Sequence, residues 1–215
     1  MRICEQTLAS VQVLFADIGD YLGAEASALP SDLDETLPPA DWAKAERFYF
    51  RDDRVRALLS RYLLRRKLGE CLNRPPRSLR LEAGAQGKPH LPAREIEFNL
   101  SHSGSFVALA ISEDEVGIDI ERQRAFEDAE QLLENHFTGD EIRWFRQQPD
   151  AERAVAFLIL WTRKEALYKA MGKGLSLPLD HVSAHPNLDS AAGWQIRTLQ
   201  APPGYLSALA WRKGN

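Results

Sequence analysis

Apolar residues recur along this chain in three patterns: alternating, spaced by three and four, and continuous. Val11-Gln12-Val13-Leu14-Phe15-Ala16 is apolar and partly β-branched, which predicts a strand. Residues 23–40 hold Gly23, Pro30, Pro38 and Pro39 and read as a loop, after which Asp41 is placed to cap a short helix through about Phe48. A longer helix is predicted from about Asp53 to Lys67. Val55, Leu58, Leu59, Tyr62, Leu63 and Leu68 recur there at three and four, Gly69 ends the element, and Arg54, Arg61 and Arg65 form a solvated face. Pro75 and Pro76 break the chain. Leu79-Arg80-Leu81 alternates as a short strand, and Gly84-Ala85-Gln86-Gly87-Lys88-Pro89 forms a turn that presents one lysine. Glu97 to Leu100 is extended, Phe106 to Ile111 is a continuous apolar run suited to a buried strand, and Val116 to Glu121 is the next strand beyond the polar turn Glu113-Asp114-Glu115.

The second half repeats the mixture. A polar helix is expected around Phe126–His136, followed by Thr138-Gly139-Asp140-Glu141, the spacing of a capping box. Asp150 can cap a long helix from Ala151 to Met171, with Gly172 closing it. Trp194 to Leu199 and Tyr205 to Trp211 read as strands joined by Pro202-Pro203-Gly204. Each half thus mixes strands with helices and ends in strands, an α+β arrangement with its seam near Glu113–Glu115 and no internal sequence repeat. The expected division is residues 1–115 and 116–215.

Composition narrows the function classes. The 215 residues are 44% hydrophobic and 27% charged with net charge −4, which fits a soluble globular protein and does not imply wholesale nucleic-acid binding, so no nucleic-acid partner is expected. Charge is uneven: residues 41–80 hold twelve Lys/Arg against five Asp/Glu, a basic face for an anionic ligand. Cys4 and Cys71 have no metal or disulfide spacing. The first residues carry an acid and lead to no unbroken apolar run, and the run Ala154–Trp161 is too short to span a bilayer. A cytoplasmic protein with no membrane partner is expected.

Four constellations carry candidate chemistry. In Ile118-Asp119-Ile120-Glu121 the two carboxylates share one face of a strand, an arrangement that suits Mg²⁺ or a wet strand end. Asn99-Leu100-Ser101-His102-Ser103 packs hydroxyls around an imidazole able to contact phosphate, and no Gly-x-Ser-x-Gly elbow supports a nucleophilic serine. Gly87-Lys88-Pro89 holds a lysine on a firm turn, whereas Gly172-Lys173-Gly174 lacks the Walker A spacing. In Trp161-Thr162-Arg163-Lys164-Glu165-Ala166-Leu167-Tyr168-Lys169, Glu165 and Lys169 lie four apart on one helix face, as a site wall or as a surface ion pair. Together, three carboxylates, two lysines and a histidine describe a site for a divalent cation and a diphosphate.

The order of these motifs resembles the surfactin-synthetase-activating (Sfp-type) class of 4′-phosphopantetheinyl transferases. The resemblance rests on Gly87-Lys88-Pro89, Phe98 to Ser103, Gly117 to Glu121, and Trp161 through Lys169 with Gly172 to Leu175. Arg47-Phe48-Tyr49 and Leu206 to Ala210 add to it, so that it covers about residues 42–211. It implies two similar α/β halves related by pseudo-twofold symmetry, with coenzyme A in the cleft between them. Residues 1–115 would form the coenzyme A-binding side, and 116–215 would carry the acids and the carrier-protein docking surface. It implies transfer of the phosphopantetheine arm to a serine of an apo acyl or peptidyl carrier protein, releasing adenosine 3′,5′-bisphosphate. By resemblance, Asp119, Glu121 and Glu165 hold Mg²⁺, Glu165 deprotonates the serine, and Lys169 neutralises the leaving diphosphate. His102 and Ser101 contact phosphates, and Lys88, Arg47, Arg56 and Lys44 take the adenosine and its 3′-phosphate. Glu141 falls where the family often has an acid, and the capping box accounts for it without chemistry. Trp161 is expected to be packing. Both halves lie in one chain, so a monomer is expected. Two rivals use the same residues: a Mg²⁺-dependent phosphohydrolase or nucleotide transferase acting on a small diphosphate, and a non-catalytic binder of coenzyme A or a nucleotide.

Overall fold

The computed structural model describes residues 1–212 apart from 24, 26, 85, 86, 127 and 173–181. Its first half contains β1 (Arg2–Leu8), β2 (Val11–Asp17), α1 (Leu33–Thr36), α2 (Pro39–Ala45) and α3 (Arg51–Leu72). These are followed by the small β3 (Glu82–Ala83) and β4 (Pro89–His90), then β5 (Glu97–Ser103) and β6 (Phe106–Ser112). The second half contains β7 (Val116–Arg122), α4 (Ala129–His136), α5 (Gly139–Arg146), α6 (Arg153–Met171), β8 (Ser190–Ala191), β9 (Trp194–Leu199) and β10 (Tyr205–Arg212). Two four-stranded antiparallel sheets result, ordered β1-β2-β6-β5 and β7-β10-β9-β8.

The halves share one plan. In the first, β2 leads through a long helix, α3, to the hairpin β5–β6, whose second strand returns beside β2. In the second, β7 leads through α6 to β9–β10, and β10 returns beside β7. Alternation along the strands explains the layers. Leu14 and Ala16 of β2, with Val107, Leu109 and Ile111 of β6, join the core under α3. The opposite faces, Val11, Val13, Phe15, Ala108 and Ala110, meet Val116, Ile118, Ile120, Leu209 and Trp211 of the second sheet. Ten buried apolar side chains form this layer. At about 1.5–3 kcal/mol for each valine, isoleucine, leucine and phenylalanine among them, they outweigh the hydrogen bonds at its rim, worth about 1 kcal/mol apiece. The sheets therefore dock through their apolar faces, and polar groups at the rim are held in place.

Several local expectations are corrected. Arg2–Leu8 is a strand that its polar, exposed sequence does not announce. The loop 23–40 contains α1. The short helix starts at Pro39 and ends at Ala45, and Asp41 lies inside it, buried, with Arg65 Nε 2.5 Å from its carboxylate. Arg65 is thus a core ion-pair partner that also donates to Pro76 O and Leu79 O, not part of a solvated face. Gly69 does not end α3. The helix continues to Leu72 and stops where Asn73 turns left-handed (φ 51°), and Arg74 N then bonds back to Gly69 O. The short strand falls at Glu82–Ala83 rather than Leu79–Leu81. The polar helix begins at Ala129, and Asp150 opens a 3₁₀ turn before α6 starts at Arg153. Gly172, at φ 65°, closes α6 as the sequence predicts. Ala85 and Gln86 of the lysine-bearing turn, and Lys173, Gly174 and Leu175, lie outside the described residues.

Candidate active site at the seam of the two halves

β5 lies across β7, and three alternate side chains of β5 reach the second sheet. Asn99 Oδ1 accepts from Ile118 N at 2.9 Å, Ser101 Oγ donates to Asp119 Oδ1 at 2.8 Å, and Ser103 Oγ donates to Glu121 Oε2 at 2.9 Å. Ser103 Oγ also accepts from Arg122 N at 3.1 Å. At the other end of β7, Lys88 Nζ donates to Val116 O at 2.8 Å. The alternation seen in the sequence holds: Ile118 and Ile120 enter the layer between the sheets, and Gly117, Asp119 and Glu121 occupy the opposite face, toward α6.

Gly117 sets how close the helix comes. A Cβ at this position would stand 2.1 Å from Ala166 O and 2.2 Å from Ala170 N, so only glycine lets the backbone of α6 rest on β7. The close approach delivers Glu165 and Lys169, one turn apart on α6, to the acids. Lys169 Nζ donates to Asp119 Oδ1 at 2.6 Å and to Ser101 Oγ at 3.0 Å. Lys169 therefore pairs with the strand across from it, and the half-buried Glu165 forms no ion pair among the described residues. Ser207 Oγ donates to Asp119 O at 2.6 Å and fixes that backbone from β10.

The electrostatics follow from this crowding. Burial pushes Glu165 up to about 7; Lys169 opposes the shift, and Asp119 and Glu121 add to it by like-charge repulsion. Glu121 is also raised, first by burial and then by Asp119, against the hydrogen bond from Ser103. His102, on the solvent side of β5, is lowered by desolvation and by the nearby Arg56 and Lys169 cations. Asp119 is buried, and among the described residues its Oδ2 has no hydrogen-bond partner. An acceptor of this kind is costly unless a cation or donor reaches it. Among the described residues no three His, Cys, Asp or Glu side chains are drawn together as ready metal ligands. The ammonium of Lys169 instead occupies Asp119.

The remaining sequence candidates divide. Arg56 Nε donates to Gly104 O at 3.1 Å and Nη1 pairs with Asp53 at 2.5 Å, which places it at the β5–β6 turn beside His102. Lys88 lies in a cavity of about 220 Å³ lined by Gly84, His90, Arg94, Glu97 and Glu115, where burial lowers its pKa. Lys44 and Arg47 are exposed, and no hydrogen bond or ion pair joins them to the seam among the described residues. A roomier cavity of about 540 Å³, beneath β1 and Pro202–Pro203, is lined by none of the candidate residues.

Glu141 makes the capping box: Thr138 N donates to its Oε2 at 2.7 Å, and its own amide donates to Thr138 Oγ1. It is also fully buried, accepting from Lys164 Nζ at 2.7 Å and from Ala184 N at 2.6 Å. Trp161 stacks on Phe157, with ring centroids 5.8 Å apart, as packing. Arg163 is buried as well and donates to the carbonyls of Ala184, His185 and Leu188; burial and Arg197 lower its pKa to about 10. Sequence reasoning missed these two anchors. The signal was present: Leu160, Arg163, Lys164 and Leu167 follow the i, i+3, i+4, i+7 core spacing, so both cations lie on an inward face.

Known proteins are similar over most of this chain. Residues 31–114 match a family model described as 4′-phosphopantetheinyl transferase, N-terminal, and residues 115–208 match one described as 4′-phosphopantetheinyl transferase superfamily. The chain is 34% identical over 183 residues to 4′-phosphopantetheinyl transferase psf-1 of Bacillus pumilus, covering 80% of this chain and 77% of that protein. It is 33% identical over 189 residues to 4′-phosphopantetheinyl transferase HetI of Nostoc sp., covering 83% and 80%. It is 30% identical over 183 residues to 4′-phosphopantetheinyl transferase Sfp of Bacillus subtilis, covering 80% and 81%.

Proposed function

Because the chain belongs to the 4′-phosphopantetheinyl transferases, enzymes of the transferase class, we propose that it moves the phosphopantetheine arm of coenzyme A onto a serine of an apo acyl or peptidyl carrier protein. Adenosine 3′,5′-bisphosphate is the other product. The observation that carries this reading is the seam itself, where β5, β7 and α6 bring Ser101, Ser103, Asp119, Glu121, Glu165 and Lys169 to one place.

The acids suit a hard divalent cation. Asp119 has an unpartnered buried oxygen, and the charge on Glu165 and Glu121 is disfavoured until a cation joins them. In this reading Asp119, Glu121 and Glu165 hold Mg²⁺, which when bound supplies Lewis-acid stabilisation of diphosphate charge. Lys169, held on Asp119, would neutralise diphosphate charge as the leaving group departs. In this reading Glu165, on the face of α6 that meets the acids, also takes the serine proton, directly or through a water. His102 and Ser101 would contact the phosphates, and Lys88, Lys44, Arg47 and Arg56 would take the adenosine and its 3′-phosphate. Lys88 would exchange its bond to Val116 O for the ligand, and Lys44 and Arg47 would reach in from an exposed surface. Residues 1–115 thus form the coenzyme A side and 116–215 the acidic and carrier-docking side. One chain completes the seam, so a monomer acting in the cytoplasm suffices. Among the described residues no helix is long and apolar enough to cross a membrane.

Mass spectrometry of apo carrier proteins incubated with the enzyme, coenzyme A and Mg²⁺ tests the reading. The expected result is a mass gain of one phosphopantetheine arm, lost in chelator and restored by Mg²⁺. Breakdown of coenzyme A with no carrier present would favour a phosphohydrolase instead.

A further inference from the structure

We propose that Tyr205 is a positioning residue for Glu121, acting through the turn that joins β5 to β6; the inference rests on the metal and diphosphate reading of the seam. Tyr205 opens β10 in register with Arg122, one position from the pair Leu206–Glu121. Its ring lies edge-on to Phe106, centroids 4.8 Å apart, which aims the hydroxyl across the seam into the first half. There it accepts from Ser105 N at 3.1 Å and shares a hydrogen bond with Ser105 Oγ at 3.2 Å.

The turn is built to receive it. Gly104 is left-handed at φ 54°, and a Cβ there would stand 2.5 Å from the Tyr205 hydroxyl, so the phenol rests directly against the backbone. Arg56 holds Gly104 O, and Ile18 N donates to Ser105 O at 2.8 Å, both from within the first half. Tyr205 adds the brace from the second half. The residue that the turn holds in register is Ser103, whose hydroxyl donates to Glu121 and accepts from Arg122 N. A carboxylate that must meet a cation is oriented by such outer hydrogen bonds, and removing them typically costs about 10–100-fold in metal affinity or activity. Tyr205 therefore ties the orientation of Glu121 to the alignment of the halves.

Tyr205→Phe deletes the hydroxyl and keeps the ring contact with Phe106. Mn²⁺ serves as the probe, titrated by electron paramagnetic resonance without a carrier protein, so that no turnover occurs. Tyr205→Phe is expected to weaken Mn²⁺ binding about tenfold. Ser103→Ala is expected to weaken it similarly, and adding Tyr205→Phe to Ser103→Ala should cost nothing more, because both act through one hydroxyl. A merely structural tyrosine would add its full effect in either background. Wild-type Mn²⁺ binding retained in Tyr205→Phe, or a full second loss in the double variant, would overturn the proposal alone. Wild-type protein that binds no Mn²⁺ would overturn the metal reading and this proposal with it.

Discussion

β2 and β7 occupy the same place in the two halves, each seven residues long and each paired with the strand that closes its hairpin. Their interface positions match: Val11, Val13 and Phe15 against Val116, Ile118 and Ile120. The other face separates them. Where β2 has exposed Gln12 and then Leu14 and Ala16 in the core under α3, β7 has buried Gly117, then Asp119 and Glu121 under α6. One topology thus serves stability in the first half and chemistry in the second. A side chain cannot be both well-packed hydrocarbon and a charged ligand, and placing the acids opposite the shared layer leaves the docking of the sheets untouched.

The sharpest break in the comparison is Glu165→Gln on α6. It should lower the transfer rate by about 10²–10⁴-fold, the usual worth of a positioned acid or base, with the fold intact. An active variant, measured by carrier mass gain, would remove Glu165 from the chemistry. Next come two buried ion pairs, one from each half: Arg65–Asp41 joins α3 to α2, and Lys164–Glu141 joins α6 to α5. Cutting either with Arg65→Met or Lys164→Met strands a buried carboxylate and should cost about 3–5 kcal/mol in urea unfolding. Only Lys164→Met should also lower transfer per folded molecule, by about tenfold, because it loosens the turn of helix that carries Glu165. Equal activity in the two variants would erase that distinction. Gly117→Ala must shift α6 away from β7, and a displacement of about 1 Å at the acids should cost roughly 100-fold in transfer. Gln12→Ala, its counterpart, should stay within about 0.5 kcal/mol of wild-type stability.

Stability should also slope with pH. Glu165 is raised from 4.5 to about 7 in the folded chain, so its protonated form favours folding. In metal-free protein that contribution is complete below about pH 4.5 and is lost as pH rises through about 7. The urea midpoint should fall across this window, and Glu165→Gln should remove that part of the fall. A midpoint that rises from this group would contradict the burial described for it.

Local chemistry was readable in the sequence wherever a residue and its partner lie within a few positions. The capping box at Thr138 and Glu141, the alternation of Asp119 and Glu121, and the closing Gly172 all belong to that class. The motif order brought Ser101, Asp119, Glu165 and Lys169 under suspicion, and the structure joins them by contacts such as Ser101–Asp119 and Lys169–Asp119. What escaped depends on distant partners. Arg65 reads as solvated until Asp41 folds over it, the partner of Lys164 is unknown until α5 supplies Glu141, and Gly69 reads as a stop until the chain after Asn73 shields it. β1 escaped for a different reason: as an edge strand with little buried surface, it has no reason to carry an apolar rhythm.

β7 is itself the edge of its sheet, and three of its outward backbone groups are taken by side chains. Val116 O is taken by Lys88, Ile118 N by Asn99 and Arg122 N by Ser103, all from the other half. Side chains occupy the positions through which a foreign strand would otherwise add to the sheet, so residues that frame the candidate site also guard against self-association. Any ligand that drew Lys88 away from Val116 would uncover one of these groups and would have to cover it again. Solubility and substrate binding are thereby joined at the same few atoms, and variants of Asn99, such as Asn99→Ala, should aggregate more readily on concentration as well as lose activity.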